Sequence, residues 1–560
     1  MSEVITETIL PGTYIEVRAE GLLTIGAIAT GNIGIVGTAE RGSADVGILS
    51  SYEDARAAFG EPNIWDPTLG DANLSLVRAL KLIFDNGATT VYARRAFNSA
   101  DPNARAKPAT YRIAGSNNSG GLTLQAKSLG SWGNRLLIKI EQADGRILLP
   151  NEQVVPVNGK FTLSAPKLLP PATPDASLGN VTVEEHGLAR KFQLKATAAA
   201  DGVVQINSAD RTLTFPVVPG PTAEVFANYW VEQDSLRKIT FVYGNVREVY
   251  TAPSLSYLAQ RIQDSQNPSK LVEVVQLDGD SLPAPLTVAA PFSGGDNGSV
   301  SRADFQDALE DLVTQDVQIV VAVGWPFSQI KGDIAGHVEK TENIGQERIA
   351  IIGADSSDVD KILDNANDVA DKRIVLVAPG LLQQDPTTGQ SFNLPPYYTA
   401  AVVAGKMSSL APHISLTNKT LASIDDLSMH YNYGQLKTLV QNRVLILEEK
   451  RGFRVVKGIT TDDEAFKQIT LRRIVDYVKE GTRIGANQYI GKLNNRRVRG
   501  NLETTLNGFL ADLLGREFLT GYALTVFADR PMEIRGEVLV TMDLNPTFSI
   551  DVVRVVMNLS

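Results

Sequence analysis

The sequence predicts a multidomain protein of mixed α/β (α+β) class, with an open-sheet α/β frame, an inserted all-β domain and extended strand arms at both ends. Three observations predict this fold. Apolar strand-like runs alternate with helical patterns over residues 301–410. Helical periodicity nearly vanishes over residues 110–292, where Gly, Ser, Pro and Thr are enriched. Short apolar runs with a period of two lie near both ends.

The same patterns predict where each part begins and ends. The expected boundaries are 1–25 for the N-terminal arm, 26–109 together with 293–430 for the discontinuous frame, 110–292 for the β-rich insertion, 431–535 for a C-terminal domain, and 536–560 for the C-terminal strand arm. A chain of 560 residues is too long for one hydrophobic core, which agrees with several domains.

Composition excludes several classes of function. The net charge of -10 argues against binding nucleic acid or an anionic membrane through bulk charge. The chain has no cysteine, which excludes disulfides, thiolate metal sites and cysteine nucleophiles. The N-terminus lacks the pattern of a signal peptide, and apolar runs such as Val317–Trp325 are far shorter than the roughly 20 residues that span a bilayer. We therefore expect a protein made inside the cell, and a cell-surface β-protein is disfavoured.

The N-terminal region combines an extended arm with one glycine-rich strand. Val4, Ile5 and Ile9 form a short β-prone run that Pro11-Gly12 closes. The spacing Gly31-x-x-Gly34-x-x-Gly37 superficially resembles a phosphate-binding loop, but no helix start follows it. A close-packed strand is the favoured interpretation. Helices are then expected over residues 51–59, capped by Ser51, and 73–85, before a strand at 89–94.

The short alternating runs within the insertion predict short strands separated by turns, which is typical of a β-sandwich or barrel. The expected strands are Leu122–Ala126, Leu136–Glu141, Val181–Glu184, Val203–Ile206, Leu213–Val218 and Lys238–Tyr243, with one helix at Leu255–Gln263. Ser131 lies in GSWG, which is not a nucleophile elbow because the serine comes one place too early. Phe292–Gly298 predicts a turn and a helix N-cap before Ser301–Val313, rather than a calcium loop.

The second half of the frame alternates strands and helices, as in a doubly wound sheet. Strands are expected at Val317–Val323, Arg348–Gly353 and Lys372–Ala378, with an acidic helix at Asp358–Asp371. Such sheets bind ligands at the carboxyl ends of their strands, so a nucleotide- or sugar-acting α/β enzyme with an accessory β-domain is the alternative hypothesis. However, no phosphate-binding lysine motif or ribose-binding acid follows these strands, and fold alone does not imply function.

Residues 464–522 are expected to be helical, with a basic loop between two helices. The loop carries Lys492, Arg496, Arg497 and Arg499. A solvated loop, a nucleic-acid contact and a patch that meets an acidic protein surface are the three interpretations, and the lack of interleaved aromatic residues weakens the second. His413 and His430 show no histidine or carboxylate at ligand spacing, so no metal site is expected.

The last residues predict two strands. Val538–Leu544 alternates with a period of two, and Asn545-Pro546 indicates a turn. The second run is formed by Phe548, Ile550, Val552, Val553, Val555, Met557 and Leu559. A strand as apolar as this one is an aggregation hazard if it is left unpaired. It must therefore pair within its own domain or in another copy of the chain.

Four motifs follow one another in the first part of the chain, namely LPGTYIEV, GNIGIVGTAERG, SYEDARAAFG and LIFDNGATTVYARR. Their order and spacing resemble those of the contractile tail sheath family, which includes the sheaths of long-tailed phages and of related bacterial injection machines. Ser131–Asn134 and Phe292–Gly298 are also similar to motifs of that family. The resemblance covers residues 1–105 and 290–560 and leaves most of the insertion outside.

The resemblance implies a structural, non-enzymatic subunit without a cofactor or metal. Such subunits polymerise helically around an inner tail tube protein and contract, with baseplate and tail terminator proteins as further partners and no nucleic acid or membrane. The insertion would face outward, and residues 431–535 would face the tube, with Lys492, Arg496, Arg497 and Arg499 as candidate contacts. The expected location is a phage virion tail assembled in the host cytoplasm, or a bacterial contractile particle.

The resemblance also implies that the terminal arms add strands to neighbouring subunits. The candidate residues are Val4, Ile5, Ile9, Phe548, Ile550, Val552, Val553, Val555, Met557 and Leu559. Strand addition gains affinity from main-chain hydrogen bonds and register from alternate side-chain pockets. A repeated contact that does not close on itself generates an open helix of subunits.

Overall fold

The structure is a computed structural model that describes residues 28–63, 65, 74–98, 100–115, 120–143, 147–163, 177–207, 209–231, 233, 236–384 and 389–558. The N-terminal arm residues Val4, Ile5 and Ile9, and Leu559 at the other end, lie outside these ranges. The described residues divide into two compact units, one drawn from 28–39, 44–97 and 300–558 and the other from 40–43 and 98–299.

The first unit begins with a strand and helix pattern close to the expected one. Its elements, numbered along the chain, are β1 (Ile33–Gly37), β2 (Gly47–Leu49), α1 (Tyr52–Phe59), α2 (Leu76–Asp85) and β3 (Val91–Arg95). The Ser51 side chain caps α1 by accepting a hydrogen bond from the Asp54 N–H, and Gly60 ends the helix at a φ of 87°. The two helices and the strand predicted for this segment are confirmed.

The second unit contains three sheets and little helix. Its strands are β4 (Thr110–Ala114), β5 (Gly121–Ala126), β6 (Leu137–Gln142), β7 (Ile147–Gln153), β8 (Phe161–Thr162), β9 (Gly179–Glu185), β10 (Leu188–Lys195), β11 (Val203–Ile206), β12 (Thr212–Thr214), β13 (Glu224–Val231), β14 (Arg237–Tyr243), β15 (Val246–Ala252), β16 (Val272–Leu277) and β17 (Ala290–Pro291). A 3-10 turn at Ser131–Arg135 and helix α3 (Leu255–Ile262) complete it. The strand predicted at Leu213–Val218 is shorter than expected, since β12 ends at Thr214.

The sheets of the second unit share one apolar cluster. Their strand orders are β7-β13-β9-β10-β11-β12-β8, β15-β14-β6-β17 and β16-β5-β4. Trp132 is fully buried in this cluster, and its indole N–H donates to the Ser128 carbonyl at 3.0 Å. Adjacent Gly133 packs against Ala109 and Ala126 at distances that leave no room for a side chain. The SWGN segment therefore serves packing in this unit.

The chain then completes the first unit. The remaining strands are β18 (Ile319–Ala322), β19 (Ile349–Gly353), β20 (Ile374–Ala378), β21 (Leu381–Gln384), β22 (Ser391–Leu394), β23 (Asp426–Leu427), β24 (Val444–Glu449), β25 (Phe453–Val455), β26 (Leu519–Phe527) and β27 (Leu539–Pro546). The remaining helices are α4 (Arg302–Glu310), α5 (Phe327–Asn343), α6 (Val359–Asn367), α7 (Pro396–Ser408), α8 (Tyr433–Gln441), α9 (Ile469–Asn487), α10 (Arg496–Gly515) and α11 (Arg530–Arg535). A capping box between Ser301 and Asp304 starts α4, so the predicted helix exists but begins after Ser301 and ends at Glu310, before the expected Val313.

An eight-stranded sheet organises the first unit, in the order β2-β3-β1-β18-β19-β20-β24-β25. Its six inner strands are parallel, and antiparallel β2 and β25 close the two edges. Every residue of β1, β18, β19 and β20 is buried, because apolar clusters cover both faces. The continuous apolar runs of the sequence follow from this two-sided burial. The mixed α/β class is confirmed.

Glycine in β1 permits close approach between layers. A Cβ atom at Gly37 would lie 2.7 Å from Cγ2 of Val323 and 3.1 Å from Cα of Leu76. A Cβ atom at Gly34 would lie 2.9 Å from Cγ1 of Val317. The spacing that resembled a phosphate-binding loop is thus a close-packed strand, as favoured from the sequence.

Two smaller sheets also belong to the first unit, β22-β21-β23 and β26-β27. The second of them corrects the sequence analysis, because β26 begins at Leu519 within the stretch expected to be helical. Among the described residues, no helix combines the length and hydropathy needed to cross a bilayer.

Candidate assembly surface

The β26-β27 sheet has two strands and therefore two edges that pair with no other strand in the described part of the chain. Tyr522 lies opposite Leu544, and Leu524 lies opposite Met542, so that these four side chains face the apolar cluster under the sheet. The predicted turn at Asn545-Pro546 is wrong, since both residues still pair with β26. A free edge exposes backbone N–H and C=O groups, which makes it a site for adding another strand.

The chain beyond β27 is apolar and uncovered. Residues 547–558 form no strand. The side chains between 61% and 84% exposed include Phe548, Ile550, Val552, Val553, Val555 and Met557. Asp551 ties this tail to its own unit through an ion pair with Lys457, 3.3 Å long. The Thr547 N–H still donates to the Phe518 carbonyl at 3.0 Å, but no strand of the described residues pairs with residues 548–558 within their own unit.

The prediction that the four basic residues form a loop is wrong for three of them. Arg496, Arg497 and Arg499 lie in the first turn of α10, where Asn495 caps the helix by accepting from the Val498 N–H at 3.0 Å. The sequence NNRRVRG hid this start, because cations are unfavourable at the positive end of a helix. Lys492 alone lies in the connection between the helices, with its Nζ 4.7 Å from the centre of the Tyr489 ring.

Two contacts fasten the α9–α10 connection to the segment between β26 and β27. Arg499 donates from Nη1 to Glu533 at 2.9 Å, and Asn494 donates from Nδ2 to the Glu537 carbonyl at 2.9 Å. Arg499 is therefore committed to an internal contact. The side chains of Lys492, Arg496 and Arg497 are exposed.

The same two segments carry exposed apolar side chains that sequence reasoning missed. Ile490 and Leu493 of the α9–α10 connection and Ile534 of α11 are all strongly exposed. The signal was present in the sequence as isolated apolar residues within a polar stretch. Together with Lys492, Arg496 and Arg497 they form a surface that combines apolar and basic groups, which we call the basic-apolar surface.

A buried ion network holds α9 against the large sheet. Arg373, 1% exposed, donates from Nη1 and Nη2 to the carboxylate of Asp476 at 2.8 and 3.0 Å. Its Nε and Nη2 also donate to Glu342 at 2.9 Å each. These hydrogen bonds from Arg373 hold the pKa of Glu342 well below its usual range. The residues are far apart in sequence, so no local pattern could predict the network.

The carboxyl ends of the parallel strands form a cavity of about 420 Å³ lined by residues such as Trp65, Asp355, Ser357 and Ser428. This is where the enzyme alternative would place a ligand. However, the Asp355 carboxylate accepts from the Ser328 N–H at 3.0 Å and from Nδ2 of Asn365 at 2.9 Å. This carboxylate therefore anchors the start of α5.

The expectation that no carboxylate lies at ligand spacing from His430 is wrong. Nε2 of His430 lies 2.9 Å from Oδ1 of Asp426, four residues earlier, and Glu449 approaches the same point. His337, by contrast, is a buried core residue that shares a 2.9 Å hydrogen bond with Arg348. Burial lowers the pKa of His337 to about 3, so this imidazole is neutral near pH 7.

Comparison with known proteins gives a consistent result. Residues 461–560 match the family model described as the phage tail sheath C-terminal domain. The curated tail sheath protein of Bacillus phage SP01 is 25% identical, in an alignment covering 96% of this chain and 94% of the relative. The curated tail sheath protein of Mycobacterium phage Bxz1 is 24% identical over 36% of this chain and 37% of its own length.

Solved structures share the fold. The crystal structure of the sheath tail protein from Listeria innocua has a TM-score of 0.58 at 14% identity, and covers 95% of each chain. That of the sheath tail protein from Desulfitobacterium hafniense has a TM-score of 0.57 at 13% identity, and covers 96% of this chain and 100% of its own.

Proposed function

We propose that this chain is the structural subunit of a contractile tail sheath, which polymerises helically around an inner tube and contracts to drive that tube through a target cell envelope. The match of residues 461–560 to the tail sheath C-terminal domain and the alignment of a curated tail sheath protein with 96% of the chain support this proposal. The relatives are structural proteins, which supports the prediction that the chain is not an enzyme.

One observation carries the proposed assembly mechanism. A two-stranded sheet with two free edges and an exposed apolar tail occur in the same unit. The tail of one copy supplies what the sheet of another lacks, namely a strand with alternating apolar side chains. The N-terminal arm, with Val4, Ile5 and Ile9, is proposed to add a strand at the other edge.

The energy of such a link is sufficient for a lasting contact. Each main-chain hydrogen bond contributes roughly 1 kcal/mol net. Burial of each apolar side chain of the tail contributes roughly 1.5–3 kcal/mol before the cost of ordering the arm. Five or six such side chains therefore hold neighbouring copies together while the globular bodies of those copies rotate. New contacts between the bodies of neighbouring copies, rather than a nucleotide, supply the work of contraction.

The basic-apolar surface is proposed to meet the inner tail tube. Residues 431–535 would face the lumen, with Lys492, Arg496 and Arg497 opposite acidic groups of the tube protein and Ile490 and Leu493 between them. Arg499, included among the candidates from the sequence, would act indirectly by fixing this surface through Glu533. Baseplate and tail terminator proteins would cover the two ends of the sheath.

We propose that the second unit, drawn from 40–43 and 98–299, is the insertion expected at 110–292 and that it lies on the outer surface as decoration. It is β-rich and carries its own apolar cluster, so it can vary without altering the sheet that holds the arms. The particle would be a phage tail or a bacterial contractile particle, assembled in the cytoplasm of the host.

Removal of the tail tests this assembly mechanism. A variant lacking residues 549–560 is expected to stay folded by circular dichroism but to sediment as a monomer, whereas the full chain forms tubes visible in negative stain. Val552→Asp combined with Val555→Asp should act like the deletion, because charges cannot enter the apolar pockets of a neighbouring sheet. Arg554→Gln is the matched control and should form tubes. Tubes formed by the deletion variant would contradict the mechanism.

A further inference from the structure

We propose that Asp426, His430 and Glu449 form a binding site for one divalent transition-metal ion, with zinc as the best fit. One ligand atom from each side chain, an imidazole nitrogen and two carboxylate oxygens, lies within 4.8 Å of the other two. Nε2 of His430 and Oδ1 of Asp426 are already 2.9 Å apart. A site of this kind is independent of the proposed sheath function.

The fold positions two of the three ligands on strands. Asp426 belongs to β23 and lies opposite Leu382 of β21, and its Oδ1 also accepts from the Leu427 N–H at 2.8 Å. Glu449 ends β24 and lies opposite Phe453 of β25. The ligand backbones are therefore fixed by sheet pairing, and only side-chain rotation is needed to converge on an ion.

The donor set selects the class of metal. Imidazole favours zinc, copper, nickel and cobalt over magnesium and calcium, which prefer oxygen ligands alone. Zinc binds imidazole nitrogen and carboxylate oxygen at about 2.0–2.2 Å, so tetrahedral ligand atoms lie about 3.3–3.6 Å apart. The one separation of 2.9 Å is somewhat shorter than that value, and the other ligand atoms lie within 4.8 Å, so side-chain rotation can reach it. Three protein ligands leave one position for water or for a group from a neighbouring molecule.

Bound metal would link two sheets of the first unit. β23 belongs to the β22-β21-β23 sheet and β24 to the eight-stranded sheet. An ion held between Asp426 and Glu449 thus ties the two sheets together, and binding to the folded state alone raises its stability by mass action. Zinc at saturating concentration should raise the midpoint of thermal unfolding.

Isothermal titration of the full chain with zinc chloride tests the site directly. We expect one strong site per chain, and a cobalt(II) substitute should show a visible ligand-field band. His430→Asn should weaken zinc binding about tenfold or more, since even changes outside the ligand shell cost 10–100-fold. Glu449→Gln should also weaken zinc binding. Both positions are exposed, so both variants should keep the circular dichroism spectrum of the wild type.

His186→Asn is the matched control. His186 is exposed, lies in the other unit and has a φ of 52°, a conformation that asparagine accepts. Zinc affinity should be unchanged in this variant. The proposal would be overturned if wild type, His430→Asn and His186→Asn bound zinc equally. It would also be overturned if the wild type did not bind zinc at millimolar concentration.

Discussion

Arg373 and Asp476 are joined by two parallel hydrogen bonds, 2.8 and 3.0 Å long, that connect the start of β20 to the middle of α9. Asp476 also accepts from Nη2 of Arg472 at 2.7 Å, one turn earlier on the same helix. The side chains of this pair are nearly excluded from water, and each of them makes a further hydrogen bond that fixes its position. This contact fixes the position of α9 relative to the large sheet.

Arg373→Ala is therefore expected to destabilise the first unit strongly. The substitution leaves the carboxylates of Glu342 and Asp476 with fewer partners, and breaking a buried pair in this way costs about 3–5 kcal/mol. Arg302→Ala is the matched control. Arg302 makes a similar two-bond contact with Asp333 but is 58% exposed, so solvent screens that ion pair and its loss should cost far less than the loss of Arg373. Urea unfolding measures both, and equal losses would contradict the role assigned to Arg373.

Stability should fall in acid through Glu342. Its pKa is lowered in the folded protein by the hydrogen bonds from Arg373, so its stabilising contribution is complete above the unfolded pKa of about 4.5 and is lost as pH falls below it. The difference in free energy of unfolding between wild type and Glu342→Gln should be largest near neutral pH and should narrow below about pH 4.5. Glu503→Gln, at an exposed position of α10, controls for net charge. A difference that stays constant with pH would contradict the assignment.

The contact between α9 and α10 depends on one glycine. A Cβ atom at Gly481 would lie 2.1 Å from Cζ of Phe509, so Gly481→Ala should force the helices apart and cost about 1–3 kcal/mol. Gly508→Ala is the control in α10, because open space surrounds that position. It should stabilise the protein by up to about 1 kcal/mol, since alanine is the better helix former. Thermal unfolding distinguishes the two, and a neutral Gly481→Ala would show that this packing is loose.

Much of the first unit could be predicted from local pattern. Four fully buried five- or four-residue strands appear in the sequence as continuous apolar runs, because both faces of the parallel sheet are covered. The Ser51 cap is a local signal and was found, whereas the cap of α4 was expected before Ser301 and is Ser301 itself. The second unit was harder to predict, because most residues of β10 are exposed whether polar or apolar, so its sequence lacks an alternating pattern.

The candidate site could be predicted only in part. The apolar tail was visible as sequence, but the helical start at Arg496 was hidden by its charges, and Pro546 gave a false turn signal at the end of an edge strand. Asp426 stands four residues before His430 and was a missed local signal. Glu449 joins them only through the pairing of distant strands, which no spacing reveals.

Pairing of the tail with a neighbouring copy is the central claim, and disulfide trapping tests it most directly. The chain has no cysteine, so Val553→Cys can be combined with Ala523→Cys on β26, or with Asp543→Cys on β27, without background. Oxidation of assembled protein is expected to give a ladder of covalent multimers on a non-reducing gel for at least one of the two combinations, because each chain is joined to the next. A monomer with an internal disulfide, and no ladder in either combination, would contradict the claim.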